Sequence, residues 1–225
     1  MKQLLILLII GLHFSSSAQK IEQIRSFDSL DISKTLGDLQ SLSGYNKTIP
    51  KAFELSILKA LSYFPELDSS RIVFKFAKIN TSLNARPTVG SLLFRRRHKR
   101  KYVIRIRPAT EGTVVTLDQA NFNARVGVFG HELSHLADYS QRGFFKIMGR
   151  MFAYGSKRSK ERFEKEIDQN TIDRGLGWQL HDWSSFVVNE SVATEKYKTF
   201  KRRIYLEPVE IIEQIIQLEL DNLAK

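Results

Sequence analysis

Ten consecutive residues, Val128-Phe129-Gly130-His131-Glu132-Leu133-Ser134-His135-Leu136-Ala137, hold two histidines and one glutamate and no other charged side chain. About a quarter of the whole chain is charged (26%), so a window this apolar marks the interior of the fold. On an α-helix, positions four apart lie on one face, and His131 and His135 then reach toward a single point. Two neutral imidazoles supply half of a tetrahedral zinc site, and Glu132, one turn from His135, can hold a water there. The uncharged surroundings suit such a site, because a further charge would be buried without a partner or would compete for the metal. The spacing predicts a helix over residues 119–140, with Phe122, Val126, Phe129, Leu133 and Leu136 or Ala137 toward the core and Asp118 or Asn121 as its cap.

Composition limits what else the chain can use. It has no cysteine, which excludes disulfides, thiol nucleophiles and any Cys-containing zinc site. Stability must come from a packed core. Residues 1–18 read as a secretory signal: Lys2 gives the basic start, Leu4 to Leu12 the apolar run, and Ser16-Ser17-Ala18 a small-residue cleavage site before Gln19. The expected outcome is export to a periplasmic or extracellular location; an uncleaved anchor is the other reading of the same run. No later stretch is long enough to span a bilayer. The remaining residues, 19–225, are expected to form one domain, with residues 19–48 as an N-terminal arm. The net charge of +11 favours acidic partners.

The pattern predicts an α+β fold. Residues 50–64 carry apolar positions at helical spacing between Pro50 and Pro65. Strands are expected at 71–77, where Ile72, Phe74 and Phe76 alternate with polar residues, and at 91–94, 102–107 and 113–117. The run Arg95-Arg96-Arg97-His98-Lys99-Arg100-Lys101 reads either as a hairpin tip kept soluble by charge or as a contact for an anionic surface. It has no interleaved aromatic residues to stack bases, so no specific nucleic acid is expected. After the histidine helix come an apolar segment at 144–152, an acidic helix over 160–174 ending at Gly175-Leu176-Gly177, a helix near 186–200, and a last helix from Glu207-Pro208. The second half is therefore mostly helical.

His131-Glu132-Leu133-Ser134-His135 is the H-E-x-x-H arrangement of zinc metallopeptidases. A third protein ligand is needed, with the fourth position left to water. The metzincin solution requires glycine at 138 and histidine at 141, where Asp138 and Gln141 stand; the peptide-deformylase solution requires a cysteine. A carboxylate from a second helix remains. Glu164 and Asp168 share a helix face, so Glu164 can bind zinc while Asp168 accepts the free N–H of a ligand histidine. Glu166, with Asn170 behind it, is the competing choice.

With both motifs in this order, H-E-x-x-H and Glu164-x-x-x-Asp168, the chain resembles the gluzincin clan of zinc metallopeptidases over Val128–Gly175. Ile167 departs from the alanine that many relatives carry. The resemblance implies a zincin-like fold, in which a small mixed sheet of about four strands packs on the active-site helix and an edge strand holds an extended peptide substrate above one catalytic zinc ion. It implies metal ligands His131, His135 and Glu164, a general base at Glu132 and an orienting role for Asp168. Tyr139, Tyr154, Arg174 and His181 are candidates for the oxyanion donor. Two other classes stay open: a non-catalytic zinc-binding protein, and a polyanion-binding surface protein working through Arg95–Lys101.

Overall fold

The computed structural model describes residues 21–109 and 115–224. The expected signal at 1–18 lies outside them. The arm folds as two short helices, α1 (Ser29–Lys34) and α2 (Leu36–Ser43), which lead into a two-residue strand β1 (Lys47–Thr48). A 3₁₀ turn after Pro50 opens α3 (Glu54–Leu61), which buries Ile57, Leu58 and Leu61. Then come β2 (Arg71–Phe76), β3 (Leu83–Pro87), α4 (Val89–Phe94) and β4 (Lys101–Ile106). The four strands form one mixed sheet in the order β1-β2-β4-β3. β1 with β2 and β2 with β4 are parallel, while β3 lies antiparallel to β4 at the edge.

Two of the expected strands are corrected. Residues 91–94 belong to α4, which buries Ser91 and Leu92 and leaves Leu93 and Phe94 outside. A four-residue apolar run cannot be told from a helical turn by periodicity. The fourth expected strand falls partly on 113–114, outside the described residues; Val115 and Thr116 join no ladder, and Leu117 opens a 3₁₀ turn. The strand that completes the sheet is β3. Its sequence, Leu-Asn-Ala-Arg-Pro, has weak β propensity, and its proline is tolerated because it sits at a sheet edge. The basic run is likewise no hairpin tip, since it joins α4 to β4. Arg100 within it is buried, donating through Nη1 to the carbonyls of Tyr139 (3.2 Å) and Arg142 (2.6 Å).

The helical half is built on α5 (Phe122–Gln141), whose Asn121 cap accepts from Ala124 N at 2.8 Å. Every residue from Val126 to Ala137 is buried. α3, α8 (Gly177–Ser185), β3 and α7 (Lys157–Thr171) pack around this helix, which explains why almost no charge survives in it. α6 (Phe144–Ala153) links α5 to α7. α7 starts earlier than expected because Ser156 caps it, and the chain turns at Gly175, whose φ of 92° favours glycine. The helix expected near 186–200 is broken: α8 runs on through a wide turn to Glu190, and α9 (Glu195–Ile204) starts afresh on the Thr194 cap. α10 (Pro208–Leu223) places Ile211 and Ile215 in a small second cluster with Ile172 and Leu180, leaving Val209, Ile216 and Leu220 exposed. Among the described residues no helix is long and apolar enough to cross a membrane.

Candidate metal centre

Two glycines let neighbouring chain segments approach α5 closely. A Cβ on Gly127 would stand 2.0 Å from the Gln179 carbonyl oxygen, so α8 crosses α5 backbone against backbone there. A Cβ on Gly130 would stand 2.7 Å from Leu176 Cδ1 and 3.4 Å from Thr171 Cγ2, where the turn after α7 rests on α5. Beside that contact, Thr171 Oγ1 donates to Ile167 O (2.9 Å), which leaves Ser134 Oγ to donate to Thr171 Oγ1 (2.8 Å). α5 and the end of α7 are thus held together at Gly130 and Ser134, the residues directly before the two histidines.

This clamp brings His131, His135 and Glu164 together with their ligating atoms within 4.8 Å of one another, all buried. Glu164 Oε2 lies 3.4 Å from His131 Nε2 and 3.2 Å from His135 Nε2. Those separations are long for charge-assisted hydrogen bonds. They are close to the edges, about 3.3–3.6 Å, of a tetrahedron whose centre is 2.0–2.2 Å from each donor. Glu164 Oε2 also has no hydrogen-bond partner although it is buried. Three donors with that spacing, one of them an orphaned carboxylate oxygen, can hold a metal ion. Glu166 stands two positions further round α7, where both of its oxygens meet Arg150 and its side chain is 43% exposed. The alternative, Glu166, is thus turned away from the two imidazoles.

The partners of the triad are equally definite. His131 Nδ1–H donates to Asp168 Oδ1 at 2.8 Å, so in the neutral imidazole the lone pair that an ion would take is on Nε2. The other oxygen of Asp168 accepts from the backbone N–H of Leu206 at 2.9 Å. Tyr154 donates to Glu164 Oε1 at 2.9 Å, so only Oε2 points at the histidines. Tyr139 stacks on the His135 ring (6.1 Å, 22°), and Phe163 meets it edge-on at 5.3 Å.

Burial lowers the proton affinity of His131, but the carboxylates of Asp168 and Glu164 beside it outweigh that effect and raise its pKa to about 10. Burial alone would raise the Glu164 carboxyl; the facing His135 and His131 instead keep it well below the usual range. In the metal-free protein the positive charge therefore sits on His131, beside the place an ion would take. Glu132 moves the other way. Its carboxyl is raised by burial, and His135 and His131 only partly oppose this.

Glu132 opens into a cavity of about 50 Å³ lined by His131, Val128, Trp183, Ser184, Lys201 and Tyr205, among others. Tyr205, absent from the sequence candidates, presents an edge to His131 with ring centroids 5.5 Å apart. Lys201 lies over the Tyr205 ring at 4.1 Å. Burial and the nearby Glu164 and Glu132 hold the Tyr205 phenol protonated, well above its ordinary pKa. Nothing in the spacing ties Tyr205 to a motif seventy residues upstream. The nearest signal was the break before Pro208. Of the sequence candidates, Tyr139 and Tyr154 pack against the ligands, whereas Arg174 pairs with Glu66 (2.6 Å) and His181 lies 3.2 Å from Asp182, neither facing this cavity.

Compared with family models, with curated proteins and with solved structures, the chain matches none. The functional reading rests on the site itself.

Proposed function

We propose that the chain is a zinc-dependent metallopeptidase of zincin-like fold, exported through its N-terminal segment. The observation that carries this reading is the orphaned, buried Glu164 Oε2 facing both His131 Nε2 and His135 Nε2 at tetrahedral-edge distances, with Glu132 beside them. Two imidazoles and one carboxylate, with a fourth position open, form a donor set typical of catalytic zinc. When bound, the ion supplies Lewis acidity, which makes a water acidic near neutral pH and polarises a carbonyl oxygen. The chain's own groups do the remaining work. Glu132 takes a proton from the attacking water and delivers it to the departing amine, and its raised proton affinity suits both transfers. Asp168 fixes the His131 tautomer, while Tyr154 fixes the Glu164 rotamer. Tyr205, in the lining of the same cavity, is our candidate to donate toward the carbonyl oxygen as it gains charge. β3, at the sheet edge and packed against α5, is the strand along which an extended peptide would lie.

Metal content and peptide hydrolysis test this together. Purified protein is expected to hold one zinc ion per chain. Glu132→Gln should keep the ion and lose hydrolysis by about 10²–10⁴-fold. His135→Ala should lose both. A Glu132→Gln variant of undiminished activity would remove the proposed base, and absence of stoichiometric metal in the wild type would remove the enzyme reading.

A further inference from the structure

The basic residues of this chain are segregated in sequence and gathered in space. Residues 69–110 hold 12 lysines and arginines and no aspartate or glutamate, and residues 139–160 hold 6 and none. These two stretches thus carry 18 of the chain's 35 basic residues and none of its 24 acidic ones, so the rest of the chain is net acidic, 17 against 24. The fold ties them together. Arg97 Nη1 donates to Gln141 O at 2.8 Å, and Arg100 Nη1 donates to Tyr139 O and Arg142 O. The segment after α4 is thereby fixed to the segment before α6.

The sheet itself holds like charges opposite one another. In the parallel register of β2 and β4, Arg71 faces Lys101 and Lys75 faces Arg105. Like charges directly opposite across a ladder are destabilising. The neighbouring Arg71 and Arg95 make the Lys101 ammonium easier to deprotonate. Among the described residues, no side chain between Ser69 and Ala109 takes part in an ion pair. An arrangement that costs stability in the free protein and lacks internal acids is one that a polyanion would relieve.

Around this junction large apolar side chains point outward. Phe94 on α4 is 86% exposed and Leu93 54%. On α6, Phe145 (86%) and Phe152 (75%) lie seven residues apart on one helix face, with the exposed Lys146 beside Phe145, while Ile147 anchors the opposite side in the core. We propose that this basic, aromatic-studded surface, spanning α4, the 95–101 segment and α6, docks on an anionic lipid bilayer, with Phe94, Phe145 and Phe152 entering the interfacial layer. Basic residues supply attraction to anionic headgroups, and exposed apolar side chains on a helix face supply the inserted area. Nucleic acid fits less well. The rings stand among aliphatic Leu93 and Met151, which have no base to stack on but partition into an acyl layer. The proposal does not rest on the peptidase reading.

Flotation of the full chain with vesicles tests it, comparing pure phosphatidylcholine with a mixture containing one-third phosphatidylglycerol. Binding is expected to the anionic vesicles only, and to fall as salt is raised. Arg95→Gln with Arg96→Gln and Lys146→Gln, all exposed and without ion pairs among the described residues, should weaken binding about a hundredfold. Phe94→Ser with Phe145→Ser should weaken it about tenfold while keeping the preference for anionic vesicles. Circular dichroism and metal content unchanged from the wild type would show that the variants fold. Equal binding to both vesicle types, no binding to either, or tighter binding to a DNA duplex than to anionic vesicles at the same salt would overturn the proposal. Full retention of binding by the phenylalanine variant would overturn the insertion.

Discussion

Asp168 joins two parts of the molecule that are far apart in sequence. One oxygen accepts from His131 Nδ1, and the other accepts from the Leu206 backbone immediately after Tyr205. An amide in its place offers one acceptor and one donor where two acceptors are needed. Asp168→Asn should therefore weaken metal binding by about 10–100-fold, read by competition with a chelator. The same substitution frees the Leu206 contact, so hydrolysis should fall further than the metal loss explains once activity is corrected for occupancy. Glu164 and Glu166 give a sharper contrast at this scale. Glu164→Gln should remove metal from the protein, whereas Glu166→Gln, which only releases Arg150 at the surface, should keep it and change stability by less than about 1 kcal/mol. Equal metal loss in both would contradict the assignment. Tyr205→Phe is expected to retain metal and lower kcat about 10²–10³-fold, as loss of one oxyanion donor does.

At the scale of elements, α5 is approached closely at two glycines, by α8 at Gly127 and by the turn after α7 at Gly130. The Gln179 carbonyl that a Cβ on Gly127 would strike is main chain and cannot rotate away. The Leu176 methyl opposite Gly130 can move. Gly127→Ala should thus cost about 2–3 kcal/mol or more and Gly130→Ala about 1 kcal/mol, measured as shifts in the denaturant midpoint. The ligand pairing was legible in sequence because it depends on helical spacing alone: His131 with His135, and Glu164 with Asp168. The preference for Glu164 over Glu166 rests in sequence on Asp168 four residues on, and the rotation of α7, with Ile167 and Thr171 buried, turns Glu164 inward and Glu166 out. The sheet was half legible. β2 and β4 alternate cleanly, but β3 is held by backbone pairing and by its place at the edge, and its side chains carry no alternating signal. Ser91–Phe94 had the apolar run without the ladder. Tyr205 was out of reach for another reason. It comes to His131 only because α9 folds back across α7, a long-range contact that no local pattern encodes.

For the whole molecule, the proposed metal site would brace α5 against α7, and the effects of removing the ion and of removing a ligand should differ. An ion that binds only the folded chain stabilises it by about 2.7 kcal/mol when present at a hundred times its dissociation constant. For a chain of this size that corresponds to a Tm shift of about 5–11 °C between holo and chelated protein. The chelated protein should nevertheless fold. In it, the cationic His131 stands between Glu164 and Asp168, so neither buried carboxylate is left without a counter-charge. His131→Ala removes that counter-charge as well as the metal. Asp168 then remains buried with no imidazole beside it, while Glu164 keeps only His135 at 3.2 Å, and breaking a buried pair in this way costs about 3–5 kcal/mol. His131→Ala should accordingly melt well below the chelated wild type in a calorimetric comparison at neutral pH. Adding Asp168→Asn to it should recover part of the loss, because the carboxylate that lost its imidazole is then neutral. Chelated wild type and His131→Ala melting together would mean that the imidazole does not carry the charge in the metal-free protein.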